Sequence, residues 1–78
     1  MNPRYSKQAK KFLDKQNADV EMRIKSAINK LPLGDVKKMI DYTNTYRLRV
    51  GSYRVFFARE DNTISVRKID NRGQIYKD

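Results

Sequence analysis

The chain has no cysteine and no histidine. Without cysteine no disulfide framework holds it together, which fits a cytoplasmic protein. Without either residue a zinc site of the usual ligand types is nearly excluded, and a histidine general base is excluded outright. No apolar run approaches the ~20 residues of a membrane span, and none resembles a signal peptide. Acidic residues are scarce too: nine Asp and Glu stand against eighteen Lys and Arg, for a formal net charge of +9 over 78 residues. An excess of this size implies a polyanionic partner such as nucleic acid or an acidic protein, and a membrane surface is the weakest of the readings.

What is present is periodic. A chain of 78 residues is one small domain (1–78), and a domain of this size buries only roughly 60% of its unfolded surface. Its apolar content is 38% and its mean hydropathy −0.89, yet the apolar residues recur at regular spacing, which argues against disorder. Ser6 is placed to cap a first helix of Lys7 to Gln16, with Tyr5, Ala9, Phe12 and Leu13 as its apolar stripe. Asn17 or Asp19 begins a second helix with the stripe Val20, Ile24, Ala27, Ile28 and Leu31, ended by Pro32-Leu33-Gly34. The short link predicts an antiparallel helical hairpin.

From Val36 the period changes to two. Val36 to Tyr42 is a candidate strand, although Lys37-Lys38 interrupts its alternation. The segment Tyr46 to Phe57 predicts a β-hairpin with Gly51-Ser52 as its two-residue turn. That turn pairs Val50 with Tyr53, Arg49 with Arg54, Leu48 with Val55 and Tyr46 with Phe57. One face is then Tyr46, Leu48, Val50, Tyr53, Val55 and Phe57. The other gathers Arg47, Arg49 and Arg54 around Phe56. Glu60 to Thr63 is a turn and Ile64 to Ile69 a further strand, whose pattern slips near its end in the manner of a bulge. Asn71-Arg72-Gly73 is a loop, and Gln74 to Tyr76 a short extended tail. The order gives an α+β domain, with the N-terminal helical hairpin packed on a small antiparallel β-sheet.

Like charges directly opposite each other on a sheet are destabilising. No Asp or Glu lies between Asp41 and Glu60 to offset Arg47, Arg49 and Arg54 locally. One reading is a solvated face of a basic protein; the other is an anion site. Guanidinium forks match phosphate oxygens bidentately, and a nearby aromatic can stack on a base. Arg72 and Tyr76 could join the same rim, although a terminal aromatic such as Tyr76 also packs as an edge plug. In composition this is a metal-free phosphate site, with no cofactor required. RNA can be cut there if its own 2′-hydroxyl attacks the adjacent phosphate and positive charge meets the transition state.

Three segments together resemble the RelE/ParE superfamily of bacterial toxins: the helix Tyr5 to Leu13, the hairpin Tyr46 to Phe57, and the ending Ile69-Asp70-Asn71-Arg72-Gly73-Gln74-Ile75-Tyr76. The resemblance covers nearly the whole chain. It implies the toxin of a type II toxin–antitoxin system, neutralised by a cognate antitoxin and reaching operator DNA only through that antitoxin. RelE-type members enter the ribosomal A site and cut mRNA by the 2′-hydroxyl route, without metal. Carried over, the active site is Arg47, Arg49, Arg54, Arg72 and Tyr76. Arg47 and Arg54 would hold the scissile phosphate, Arg72 would assist the leaving group, and Tyr76 would orient the nucleotide. Lys7, Lys10, Lys11, Lys25 and Arg67 are candidate RNA-backbone contacts.

Departures from the pattern accompany the resemblance. Relatives of the RelE type carry a lysine base where Arg49 stands, and arginine, with a pKa above ~12, is a poor proton acceptor. Many carry a histidine where Asn71 stands. They usually begin with a strand, whereas Pro3 is a poor strand residue and only four residues precede Tyr5, so either that edge of the sheet is missing or the start is truncated. No helix follows Tyr76. Two other functions fit the same fold: a ParE-like inhibitor of DNA gyrase, and an inactive module that only binds antitoxin as co-repressor.

Overall fold

The computed structural model describes residues 3–40 and 44–71. The chain runs β1 (Arg4–Tyr5), α1 (Lys7–Asp14), α2 (Ala18–Asn29), β2 (Asp35–Lys38), β3 (Thr45–Val50), β4 (Tyr53–Glu60) and β5 (Thr63–Asp70). The strands form one five-stranded sheet in the order β1-β5-β4-β3-β2. The domain is α+β as expected, but the sheet is mixed, since β1 runs parallel to β5.

Local chemistry sets the helix starts. Ser6 accepts the Ala9 amide hydrogen at 3.1 Å, and Asn17 accepts that of Val20 at 2.9 Å, so each helix opens on a satisfied N-cap. Asp19 and Glu21 lie in the first turn of α2, where carboxylates favour the helix dipole. The first helix stops at Asp14, two residues short of the expected Gln16, with Lys15 as its C-cap. Gln16 instead turns its side-chain amide back onto the Phe12 carbonyl.

The first strand, left in doubt by the sequence, is present. Arg4 and Tyr5 pair with Ser65 and Val66, and the Ser6 amide extends the pairing to the Val66 carbonyl at 2.9 Å. Pro3 lies before the pairing and forfeits no ladder bond. Tyr5 therefore belongs to the sheet and not to the helix, although it packs with α1 against the same core.

Both helical stripes enter one core. Ala9, Leu13, Ile24 and Ile28 meet Leu48, Val50, Val55, Phe57, Val66 and Ile69. The substantial contacts of α1 are with β5 and β1, and those of α2 are with β3, so each helix is anchored to the sheet itself. Tyr46 stacks on Phe57 at 5.5 Å, and Phe12 meets Tyr53 edge-on at 6.0 Å. Gly34, at φ +116°, comes so close to Leu48 that an added Cβ would lie 3.2 Å from its Cδ1.

The strand expected from Val36 to Tyr42 is shorter, at Asp35–Lys38. It is an edge strand, where the Lys37-Lys38 break in alternation is tolerated and extra pairing is discouraged. The Met39 amide adds one more bond, to the Thr45 carbonyl, and Ile40 is 96% exposed. Tyr42 lies outside the described residues. The bulge falls at Arg67: Phe56 pairs with Lys68 and Phe57 with Val66, leaving Arg67 without a cross-strand partner. The extra residue resets the alternation, so Val66 and Ile69 both reach the core.

Candidate active site on the open sheet face

The hairpin forms in the expected register, Val50↔Tyr53, Arg49↔Arg54, Leu48↔Val55, Arg47↔Phe56 and Tyr46↔Phe57. Gly51 has φ +61° and Ser52 does not share it, the pattern of a type II′ turn with glycine at its first central position. Because period two governs both strands, the register that buries Leu48, Val50, Val55 and Phe57 also puts Arg47, Arg49 and Arg54 on the opposite face, away from the helices.

The sheet extends these positions into rows. One row across four strands is Asp35, Arg49, Arg54, Asp70; the next is Lys37, Arg47, Phe56, Lys68. Two carboxylates therefore bracket the arginine pair, where the local sequence offered none. The second row stays basic around an aromatic ring. The Nε of Arg47 is buried and has no hydrogen-bond partner among the described residues, and the same holds for one carboxylate oxygen of Asp70 and the side-chain oxygen of Asn71. Two shallow depressions lie on this face. One of about 170 Å³ is lined by Arg49, Gly51, Ser52 and Arg54. Another, of about 280 Å³, is lined by Met39, Thr45, Phe56 and Lys68. Cationic forks beside one depression and a ring beside the other suit a phosphate and an attached base.

The far end of β5 is fixed from α1. Gln8 donates its amide to the Ile69 carbonyl and accepts the Ile69 amide hydrogen, both at 3.0 Å. Ser6 donates to the Arg67 carbonyl at 2.7 Å. The side chains of Ser6 and Gln8 thus continue the edge of the sheet past the end of β1 and across the bulge.

Of the expected catalytic residues, Arg47, Arg49 and Arg54 come together, while Arg72 and Tyr76 lie outside the described residues. The expected RNA contacts divide differently. Lys7, Lys10 and Lys11 are exposed on α1, which covers the other face of the sheet. Lys25 is held by Glu21 at 2.9 Å, and that hydrogen bond raises the lysine pKa. Arg67 is held by Glu60 at 3.1 Å. Asp35, Asp70, Lys37 and Lys68 were missed as neighbours of the site. Asp70 could have been found by carrying the β5 alternation across the bulge; Asp35 depended on a register that Lys37-Lys38 obscured.

Known proteins share this architecture. Residues 4–76 match the family described as the ParE toxin of the type II toxin–antitoxin system, parDE. The chain is 39% identical over 56 residues to Toxin RelE3 of Methanocaldococcus jannaschii, an alignment spanning 72% of this chain and 62% of that protein. The crystal structure of a RelB–RelE antitoxin–toxin complex from Methanococcus jannaschii superposes with a TM-score of 0.75 at 32% identity, over 95% of each chain. The archaeal RelE–RelB complex from Pyrococcus horikoshii gives 0.70 at 26% identity, over 95% of this chain and 99% of that one.

Proposed function

The chain belongs to the ParE toxin family of type II toxin–antitoxin systems and is RelE-like, and on that premise we propose that it is a ribosome-dependent mRNA endonuclease. The observation that carries this reading is the cross-strand Arg49–Arg54 pair beside Arg47 on the sheet face opposite α1 and α2. Opposed like charges on a sheet are not a stabilising choice for the fold. Their guanidinium forks match the oxygens of a phosphate chain.

In the proposed reaction the ribose 2′-hydroxyl attacks the adjacent phosphate. Arg47 and Arg54 hold the non-bridging oxygens and meet the charge that grows on the pentacoordinate phosphorus. Arg49 contributes charge only, because it cannot take a proton at neutral pH. Arg72 assists the departing oxygen, and Tyr76 orients the nucleotide. Lys7, Lys10 and Lys11 contact ribosomal RNA backbone from the helical side. Lys25 and Arg67 do so only by exchanging Glu21 and Glu60 for phosphate. Binding through such contacts weakens as salt rises.

The proposed regulator is a cognate antitoxin with an acidic or apolar segment laid over the arginine face. The two crystal structures compared above are toxin–antitoxin complexes, and the net charge of +9 favours an acidic partner. The description of the matched family as the ParE toxin favours a second reading, inhibition of DNA gyrase.

Primer extension on a defined mRNA in a reconstituted translation reaction separates the two. Breaks within A-site codons that vanish without ribosomes support the nuclease. Their absence, with inhibition of gyrase supercoiling, supports the second reading. Silence in both assays leaves an inactive antitoxin-binding module.

A further inference from the structure

Cleavage by the 2′-hydroxyl route needs a proton acceptor, and Arg49 is unsuited to that role. We propose that Asp70 is the acceptor: its carboxylate, next to Arg54 on the open face, takes the proton of the attacking hydroxyl. The inference rests on the nuclease reading of this face.

Register makes the case first. Asp70 pairs directly with Arg54, and Arg54 with Arg49. Paired residues share a face, and their backbones stand one strand spacing apart, ~4.8 Å, so Asp70 and the phosphate-holding arginine project side by side. Of the two strands beside Arg54, β3 presents Arg49 and β5 presents a carboxylate, so a ribose lying toward β5 meets Asp70. Second, Oδ1 of Asp70 is buried and has no hydrogen-bond partner among the described residues. Buried acceptors normally have a donor, so this carboxylate keeps unused accepting capacity. Third, the backbone beneath Asp70 is held in place, because the two Gln8 hydrogen bonds lock Ile69 at the position before it. Among the described residues, three other carboxylates fit less well. Asp35 is exposed on the edge strand beyond Arg49. Glu60 and Glu21 are each engaged by a cation.

The step balances as follows. Asp70 removes the proton from O2′ as the O2′–P bond forms. The P–O5′ bond breaks, and O5′ takes a proton from a solvent water. The products are a 2′,3′-cyclic phosphate and a 5′-hydroxyl, and Asp70 returns its proton to solvent. Arg54 lies between the carboxylate and the rest of the arginine row, which limits repulsion between Asp70 and the phosphate.

The test is single-turnover cleavage on ribosomes programmed with a defined A-site codon, comparing the parent with Asp70→Asn and Asp70→Glu. Loss of a general base lowers the rate constant by about 10²–10⁴-fold. That drop is expected for Asp70→Asn with ribosome affinity unchanged, which also shows that the variant is folded. Asp70→Glu restores most of the rate. Replacing the 5′-oxygen by sulfur, a leaving group that needs no proton, does not rescue Asp70→Asn. The inference is overturned if Asp70→Asn cuts as fast as the parent, or if the sulfur substrate restores it. In those outcomes the nuclease reading survives. A parent that cuts nothing ends that reading and this inference with it.

Discussion

Leu48 and Arg49 are consecutive on one strand, yet Leu48 is 1% exposed in the core with Ile24 and Ile28, while Arg49 lies exposed opposite a second arginine. The covered face follows the rule that burial of apolar area stabilises, at about 25 cal/mol per Å². The open face sets like charges across a strand pair, with Asp35 and Asp70 at the ends of the row. Conflict with a local rule is expected where a surface serves a ligand rather than the fold. The contrast separates the residues that hold this toxin together from those that would act on RNA.

The sharpest way to break the contrast is through the covered face. Phe57→Ala removes a ring that is 2% exposed and stacked on Tyr46. It is expected to cost about 3–5 kcal/mol, a large share of the ~5–15 kcal/mol typical of a domain, as read from the urea midpoint. On the open face Arg49→Ala should do the reverse. Its stability stays within about 0.5 kcal/mol of the parent or rises, because a like-charge pair is relieved, while cleavage falls about 10²-fold. A loss of stability comparable to that of Phe57→Ala would mean that the two faces are not separable. Arg49→Lys sharpens the same point: a gain in rate would make that position the proton acceptor and displace Asp70.

A smaller effect is expected at the joint between the layers. Ser6 both caps α1 and donates to the Arg67 carbonyl of β5. Ser6→Ala should cost about 1 kcal/mol, measurable by denaturant unfolding. The smallest effect is alkaline. Burial raises the Tyr5 pKa above its ordinary 10.0, partly opposed by Lys25 nearby. The folded state then keeps a proton that the unfolded chain releases, so this contribution is complete below pH 10.0 and is lost as pH climbs through the raised value. Tyr5→Phe should flatten the fall in unfolding midpoint between about pH 9 and about pH 11.

Much of this was legible from neighbouring residues. The hairpin register followed from strict alternation around Gly51-Ser52, and the arginine cluster followed from the register. Ser6 and Asn17 announced their helices because an N-cap is a contact three residues long. The bulge showed as a slip in alternation around Lys68. Strand β1 was not legible, since two residues beside a proline carry no period to read. The end of β2 was misplaced because an edge strand needs no buried face to specify it.

The sequence by itself determined the basic balance, the helix starts and the pairing of Arg49 with Arg54, because each depends on composition or on spacings within one hairpin. Only the tertiary structure decided that Asp35 and Asp70 bracket that pair, and that Gln8 locks Ile69 across a separation of 61 residues. Those placements follow from which strands become neighbours. That is set by packing of the helices and the sheet around a shared core, and no short window of residues encodes it.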